Sequence, residues 1–220
     1  MGEEANDESD YTQRDQSRRG CGSIEALARA GFRELVINYA HLGAQLVAAL
    51  GDGADYGVHI DYSAEPPGAL ETGGGIFNAL PLLGEAPFMV VNADIWTDFD
   101  FAVLPQQPET LAHLVLVDNP AHHPAGDFAL EDGRVRGDGP VRLTFSGIGV
   151  YRPTLFADSP GGSFPLAPLL RRAMAVGQVS GERYAGAWFD IGTPERLAAV
   201  NRWFGEQYGD IPRSEQTPAG

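Results

Sequence analysis

A run of glycines before a predicted helix is the first feature of this chain whose residue types suit chemistry. The run is LETGGG at residues 70–75, and apolar residues at helical spacing follow it. Glycines at a helix start let a ligand approach the backbone closely, and the exposed N–H groups there bind a phosphate, a ribose or a base edge. A tight strand-to-helix turn would also explain three glycines, so the run alone leaves both interpretations open.

Two aspartates form the second such feature. Asp94 follows Asn92 and the apolar run 88–91, and Asp190 lies beside Phe189, just before a glycine turn and a Thr-Pro helix start. A carboxylate next to apolar residues is tolerated when it meets water or a metal. Because Mg²⁺ takes one or two carboxylates together with substrate phosphates, the pair predicts a phosphate-bound magnesium site. Asp94 by itself could also be an ordinary capping residue.

The net charge of the chain indicates which kinds of partner it does not bind. The 220 residues carry a formal net charge of −15, and the 15 basic side chains are all arginine. Such an acidic surface repels nucleic acid.

The single cysteine, Cys21, excludes an internal disulfide, and no apolar run reaches the roughly 18 residues of a membrane span. No apolar segment near the N-terminus resembles a signal peptide, so we expect a cytoplasmic protein that binds small molecules, with neither nucleic-acid nor membrane partners. The oligomeric state stays open.

Predicted strands and helices alternate along most of the chain. The strands are predicted over 34–38, 58–62, 88–91, 113–117, 143–151 and 179–184. The helices are predicted from Ile24 to Gly31, over 42–50, from the glycine run to Gly84, over 166–176 and over 194–204. Short connections between alternating elements predict an α/β fold, Rossmann-like, with a mostly parallel sheet and helices on both faces. Asp132-Gly133 predicts a small antiparallel hairpin.

The ends of the chain differ in composition from its middle. We expect residues 1–22 to form a disordered acidic leader, residues 23–205 to form one folded domain and residues 206–220 to form a flexible tail.

Ligands of a doubly wound sheet bind beyond the carboxyl ends of its strands. Both the glycine run and Asp94 would face that crevice.

Further motifs follow one another in a fixed order between Ile24 and Phe204. They are VNAD at 91–94, VDNP at 117–120 followed by two histidines, GDF at 126–128, FSGI at 145–148 and WFDIGT at 188–193. Together with the glycine run, they resemble the sugar-1-phosphate nucleotidyltransferases, most closely those that join UTP to N-acetylmuramate-1-phosphate in bacterial cell-wall recycling. The resemblance implies a nucleoside-diphosphate sugar and pyrophosphate as products, made by positioning and charge neutralisation without a covalent intermediate.

The resemblance also implies a role for each motif. It makes Asp94 and Asp190 the ligands of Mg²⁺. The residues that it places on the nucleotide are Glu71, Thr72, Gly73, Gly74 and Asn92. Those that it places on the sugar are Gly126, Asp127 and Gly147. No further catalytic side chain is implied, because the arginine and lysine that the family uses are absent from the corresponding part of this chain.

The chain departs from the family at its N-terminus. Family members begin with a hydrophobic strand, a glycine-rich loop carrying an arginine and a Pro-Lys pair, which together hold the triphosphate. Residues 1–22 contain none of these, and Arg14, Arg18 and Arg19 lie in different surroundings. Because the family's strand lies inside its sheet, we expect an N-terminally truncated domain with marginal stability and little or no transferase activity.

Other functions stay open at this point. One alternative is an inactive or regulatory remnant that binds a sugar or nucleotide, and another is an enzyme like mannose-1-phosphate guanylyltransferase. His122 and His123 could bind a metal, but adjacent residues of a strand point to opposite faces, which favours a loop or sugar-side role. Ser146 lacks a nucleophile-elbow pattern, which argues against a hydrolase.

Overall fold

A computed structural model describes residues 22–40, 43–66, 68 and 70–208 of the chain. The strands in these ranges are β1 Glu34–Tyr39, β2 His59–Ala64, β3 Phe88–Val91, β4 Ile95–Thr97, β5 Ala112–Val117, β6 Phe128–Glu131, β7 Arg134–Arg136, β8 Arg142–Tyr151, β9 Val179–Tyr184 and β10 Trp188–Asp190. The helices are α1 over 22–29, α2 Gly43–Leu50, α3 Glu71–Leu83, α4 Leu166–Ala175 and α5 Pro194–Tyr208.

The predicted leader and tail fall almost wholly outside the described residues. Of the leader, only residue 22 is described, and it begins α1. α5 continues past residue 205 to Tyr208, and the remainder of the predicted tail lies beyond the described range. No helix in the described part of the chain is long and apolar enough to cross a membrane.

Six strands form the main sheet in the order β3-β8-β5-β9-β7-β6, and β8 also pairs with β6. The second pairing closes β5, β9, β7, β6 and β8 into a ring. Among the described strands of this sheet, only the neighbours β5 and β9 run parallel, so the expectation of a mostly parallel sheet is wrong. The reason is that residues 112–151 contain no crossover helix, and strands joined by turns and loops reverse direction.

The predicted hairpin is present in this part of the chain. Asp132 and Gly133 connect β6 to β7, and both have positive φ, 48° and 73°. Positive φ at both central residues is the requirement of a type I′ turn, which Asp-Gly satisfies.

Helices cover both faces of the main sheet, as expected. Successive residues of β5 belong to different core clusters, because side chains alternate across a strand. Leu114 and Leu116, both fully buried, pack on the side that carries α3 and α4. Val115, also fully buried, packs on the opposite side, where Leu27 of α1 contacts the core.

β1 and β2 form a separate parallel pair. Among the described strands, β1 pairs with β2 alone, and β3 pairs with β8 alone, so each has an edge without a partner strand. α3 contacts both β1 and β2, while Ile76 on the same helix belongs to the main core. The helix therefore lies across a break between the two sheets.

Candidate active site

A short strand pair places the two predicted metal ligands side by side. β10 runs antiparallel to β4 with Asp190 opposite Ile95, and the Ile191 N–H donates to the Asp94 carbonyl at 2.7 Å. A Cβ built on Gly192 would lie 3.2 Å from Asp190 Oδ1 and 3.4 Å from Asp94 Oδ2. The two carboxylates therefore converge on one point, although they come from distant parts of the chain.

Asp190 is held on both of its carboxylate oxygens. Oδ1 accepts the Gly192 N–H at 3.0 Å, and Oδ2 accepts from Arg196 Nη1 at 2.6 Å. His122 Nε2 lies 3.4 Å from Oδ2. Partial burial would raise the pKa of Asp190, but the Gly192 amide, Arg196 and His122 outweigh it and hold the pKa below its ordinary value. The carboxylate is thus ionised at neutral pH and fixed in orientation.

Asp94 is exposed, and its carboxylate makes no hydrogen bond or ion pair within the described ranges. The described residues also contain no group of three or more His, Cys, Asp or Glu arranged to hold a metal. Mg²⁺ typically takes one or two protein carboxylates and completes its shell with water and substrate phosphate. The convergent pair fits that requirement, so Asp94 and Asp190 could hold Mg²⁺ in company with a phosphorylated substrate.

A first cleft of about 330 Å³ opens over these carboxylates. It is lined on its other sides by Asn92, Asp127, Gly147, His122 and His123. The two adjacent histidines lie on the loop between β5 and β6, outside any strand, so both side chains can face one cleft. The histidines thus lie in a loop, and their sugar-side role stays a prediction.

Asp127 lines the first cleft together with Asp94 and Asp190. Its Oδ1 lies 3.1 Å from His123 Nε2, and its Oδ2 accepts the Phe145 N–H at 2.8 Å. Gly126 lies behind it in a turn with φ +61°, where a Cβ would stand 2.8 Å from Asn119 Oδ1. Gly126 therefore shapes the loop that carries Asp127. Gly126 itself does not line the first cleft.

Gly147 and Asn92 are in direct contact. Gly147 has φ +81°, and a Cβ there would stand 2.8 Å from Asn92 Nδ2. The Asn92 N–H donates to the Gly147 carbonyl at 3.0 Å. The residue predicted on the nucleotide and the residue predicted on the sugar thus meet at one point of the site.

A second cleft of about 430 Å³ shares Asn92, Asp127 and Phe145 with the first. Glu71 and Thr72 line it at the start of α3, and Glu71 has the unusual φ of 58°. Its opposite wall is apolar and comes from β6 and the start of α4, through Phe128, Pro165, Leu166, Ala167 and Leu170. Carboxylates and amides on one side and hydrocarbon on the other suit a ligand that has a flat or alkyl part.

Gly73 and Gly74 are buried and line neither cleft. A Cβ on Gly73 would lie 2.6 Å from the Phe164 ring, and one on Gly74 would lie 2.2 Å from the Gly162 carbonyl oxygen. The Gly74 N–H already donates to the Phe164 carbonyl at 3.0 Å. The structure therefore gives these two glycines a packing role, and the part they play toward a nucleotide stays a prediction.

Several site residues escaped sequence reasoning. Arg196 contacts Asp190, and the only signal for it is its position in the first turn of the helix after the WFDIGT motif. Trp188 Nε1 donates to the Ser146 carbonyl at 2.9 Å and ties β10 to β8. The α4 wall of the second cleft carried no signal, because Leu166 and Leu170 have the spacing of ordinary core positions.

Comparisons with known proteins show the family of the chain. The family model described as nucleotidyl transferase matches residues 22–130. The chain is 53% identical over 180 residues to the N-acetylmuramate alpha-1-phosphate uridylyltransferase of Neisseria meningitidis serogroup B, covering 78% of each chain. It is 34% identical over 197 residues to the enzyme of the same name from Caulobacter vibrioides, covering 81% of each.

A solved structure supports the fold. The fold matches that of UDP-glucose pyrophosphorylase complexed with UDP-glucose with a TM-score of 0.67 at 17% identity, covering 87% of each chain. The chain belongs to the nucleotidyl transferase family, as the order of its motifs predicted, and is a transferase.

Proposed function

We propose that this protein makes UDP-N-acetylmuramate from UTP and N-acetylmuramate-1-phosphate, with Mg²⁺, in the cytoplasm and as part of cell-wall recycling. In this reaction an oxygen of the sugar phosphate forms a bond to the α-phosphorus of UTP, and the bond from that phosphorus to pyrophosphate breaks. The convergence of Asp94 and Asp190 over the cleft that also holds Asp127 carries the proposal. The names of the two curated relatives support the choice of substrates.

The two clefts divide the substrates between them. Glu71, Thr72 and Asn92 would hold the nucleoside in the second cleft, whose apolar wall suits a base. Asp127 and the Gly147 turn would hold the sugar in the first cleft. Asp94 and Asp190 would hold Mg²⁺, which supplies charge neutralisation at the phosphates when it is bound. The protein's own part is to fix two substrates so that their reacting atoms meet.

A second candidate function is binding of a sugar phosphate without catalysis of any reaction. Two observations on the described residues favour it: none of their arginines lines either cleft, and β1 and β3 each have an edge without a partner strand among them. A triphosphate carries several negative charges, so a site without arginine or lysine would depend on the metal to hold it.

Product analysis distinguishes these functions. The protein is incubated with Mg²⁺ and each pairing of UTP or GTP with N-acetylmuramate-1-phosphate or mannose-1-phosphate, and products are identified by mass spectrometry. We expect UDP-N-acetylmuramate from the first pairing. Formation of GDP-mannose in its place would overturn the substrate assignment. Binding of the sugar phosphate without any product, by a protein shown to be folded, would favour the second candidate.

A further inference from the structure

The first cleft is poor in groups that attract a phosphate. Three carboxylates line it, from Asp94, Asp127 and Asp190, and two of its other lining residues are the histidines 122 and 123. No arginine of the described residues lines it, and the chain has no lysine. A phosphate entering this cleft needs donors besides the metal, because the carboxylates there repel another anion. Among the described side chains of the cleft, the histidines are the basic ones.

The two histidines differ in the contacts that their Nε2 atoms already make with carboxylates. His123 Nε2 makes a hydrogen bond of 3.1 Å with Asp127 Oδ1. His122 Nε2 lies 3.4 Å from Asp190 Oδ2 in an ion-pair contact that lacks hydrogen-bond geometry, and that oxygen already accepts from Arg196 at 2.6 Å. The His122 side chain is also 38% exposed. Compared with His123, His122 therefore has the Nε2 that is more available to donate a hydrogen bond to a ligand.

The loop that carries His122 is held rigidly. Asn119 Nδ2 donates to the Pro124 carbonyl at 3.1 Å and to the Arg142 carbonyl at 2.9 Å. The His123 N–H donates to the Pro120 carbonyl at 2.9 Å. A donor placed on a loop fixed at both ends loses little conformational entropy when a ligand binds.

We propose that His122 is a phosphate contact for the sugar-1-phosphate, donating from Nε2 to a phosphate oxygen beside Asp190. The proposal rests on the proposed function and adds a binding residue that lies outside the predicted sugar and metal sets. The Nε2 atom donates in the neutral Nε2–H tautomer as well as in the charged imidazolium. A hydrogen bond to a doubly charged phosphate is of the stronger, charge-assisted kind.

Calorimetric titration with two ligands isolates this contact. Wild type, His122→Gln and the control His59→Gln are each titrated with N-acetylmuramate-1-phosphate and with unphosphorylated N-acetylmuramate, in Mg²⁺. His59 is an exposed residue of β2 that lines neither cleft. We expect His122→Gln to lose about tenfold in affinity for the phosphorylated sugar alone, the size of one charge-assisted hydrogen bond. His59→Gln should match wild type with both ligands.

The remaining outcomes overturn the inference in distinguishable ways. An unchanged preference for the phosphorylated sugar in His122→Gln removes the phosphate contact but leaves the proposed function intact. An equal loss with both sugars assigns His122 to the sugar ring or to folding. A parallel titration with Mn²⁺ alone should give the same affinity in both proteins, and a weaker one in the variant would show that His122 acts through Asp190. If wild type binds neither sugar, the proposed function fails together with this inference.

Discussion

At the scale of single residues, Gly147 and Asn92 occupy the point where the two clefts meet. Asn92 lines both clefts, and Gly147 presses against its side chain with a φ of +81°. Only glycine adopts that backbone conformation without strain, and only a residue without a Cβ leaves room for the amide. The position of Asn92 therefore depends on the absence of a side chain at residue 147.

Gly147→Ala should disturb both stability and ligand binding. The added Cβ would meet Asn92 at 2.8 Å and would also strain a left-handed backbone, which costs about 1–2 kcal/mol by itself. Gly133→Ala is the matched control, since Gly133 has φ +73° with open space around its Cβ. We expect the larger fall in melting temperature, and weaker binding of both substrates, in Gly147→Ala alone. Equal thermal shifts with unchanged binding would show that the contact with Asn92 has no role.

Residues of the site differed in how well the sequence predicted them. Asp94 and Asp190 could be recognised as candidates, because each ionisable group follows closely on apolar residues. Arg196 could not, because its importance comes from a contact across the start of α5 rather than from its neighbours in sequence. Gly73 and Gly74 show the opposite case, since their pattern suits ligand binding while the close approach of Gly162 and Phe164 also requires them.

At the scale of elements, an irregular stretch of β8 shapes the site. Leu114 of β5 pairs with Gly149, and Leu116 pairs with Phe145, so three residues of β8 lie opposite Val115. The Ser146 side chain provides hydrogen bonds where the backbone ladder between β5 and β8 is interrupted. Its Oγ donates to the Val115 carbonyl at 2.7 Å and accepts the Ile148 N–H at 3.1 Å. The bulge brings Gly147 out of the ladder and against Asn92.

Ser146→Ala should destabilise the protein by about 1–3 kcal/mol, because it leaves a buried carbonyl and a buried N–H without a partner. The side chain is 1% exposed, so water does not replace the lost bonds. Ser159→Ala serves as the control, since the buried Ser159 hydroxyl has no hydrogen-bond partner in the described part of the structure. Denaturant unfolding measures both variants. A Ser146→Ala free energy of unfolding equal to that of Ser159→Ala would refute the role given to the hydroxyl.

Most of the strands and helices were predictable from the sequence, but the two short strands of the site, β4 and β10, were not. The apolar spacing of β5, β9 and α4 predicted their positions to within about one residue. β4 and β10 have three residues each, which is too short for a periodic pattern. Their pairing is nevertheless what brings Asp94 beside Asp190, so the sequence indicated the two aspartates without showing how they meet.

At the scale of the whole molecule, a break separates the β1–β2 pair from the main sheet among the described strands. A strand with an open edge leaves part of its backbone hydrogen-bonded to water, and its side chains pack against one neighbouring strand fewer. The apolar residues Val36 and Val90 are only partly buried in β1 and β3, whereas Leu114 and Leu116 of the doubly paired β5 are fully buried. The expectation of marginal stability is in keeping with this arrangement and stays a prediction.

Hydrogen exchange should reveal the break. We expect amides of β1 and β3 to exchange much faster than those of β5, because protection follows from pairing on both edges and from burial. Mass spectrometry of peptic fragments, or amide NMR, measures the three strands in one experiment. Protection of β1 and β3 equal to that of β5 would mean that another segment or another copy of the chain covers the open edges.

The parallel sheet was mispredicted for a reason that belongs to this scale. Alternating helices and strands favour parallel pairing, but strand direction is set by the connections between 112 and 151, where no helix intervenes. The layering of helices on both faces was predictable, since it depends on the apolar content of each element. The closing of five strands into a ring was not, because it depends on β8 being long enough to pair with β3, β5 and β6.

The most direct test is pyrophosphate release from UTP, N-acetylmuramate-1-phosphate and Mg²⁺, with Asp94→Asn beside wild type. Release should require both substrates and fall at least about 100-fold in Asp94→Asn, because the variant removes half of the carboxylate pair. The exposed Asp55→Asn variant should keep the wild-type rate. Release that survives in Asp94→Asn, or no release from demonstrably folded wild-type protein, would contradict the account.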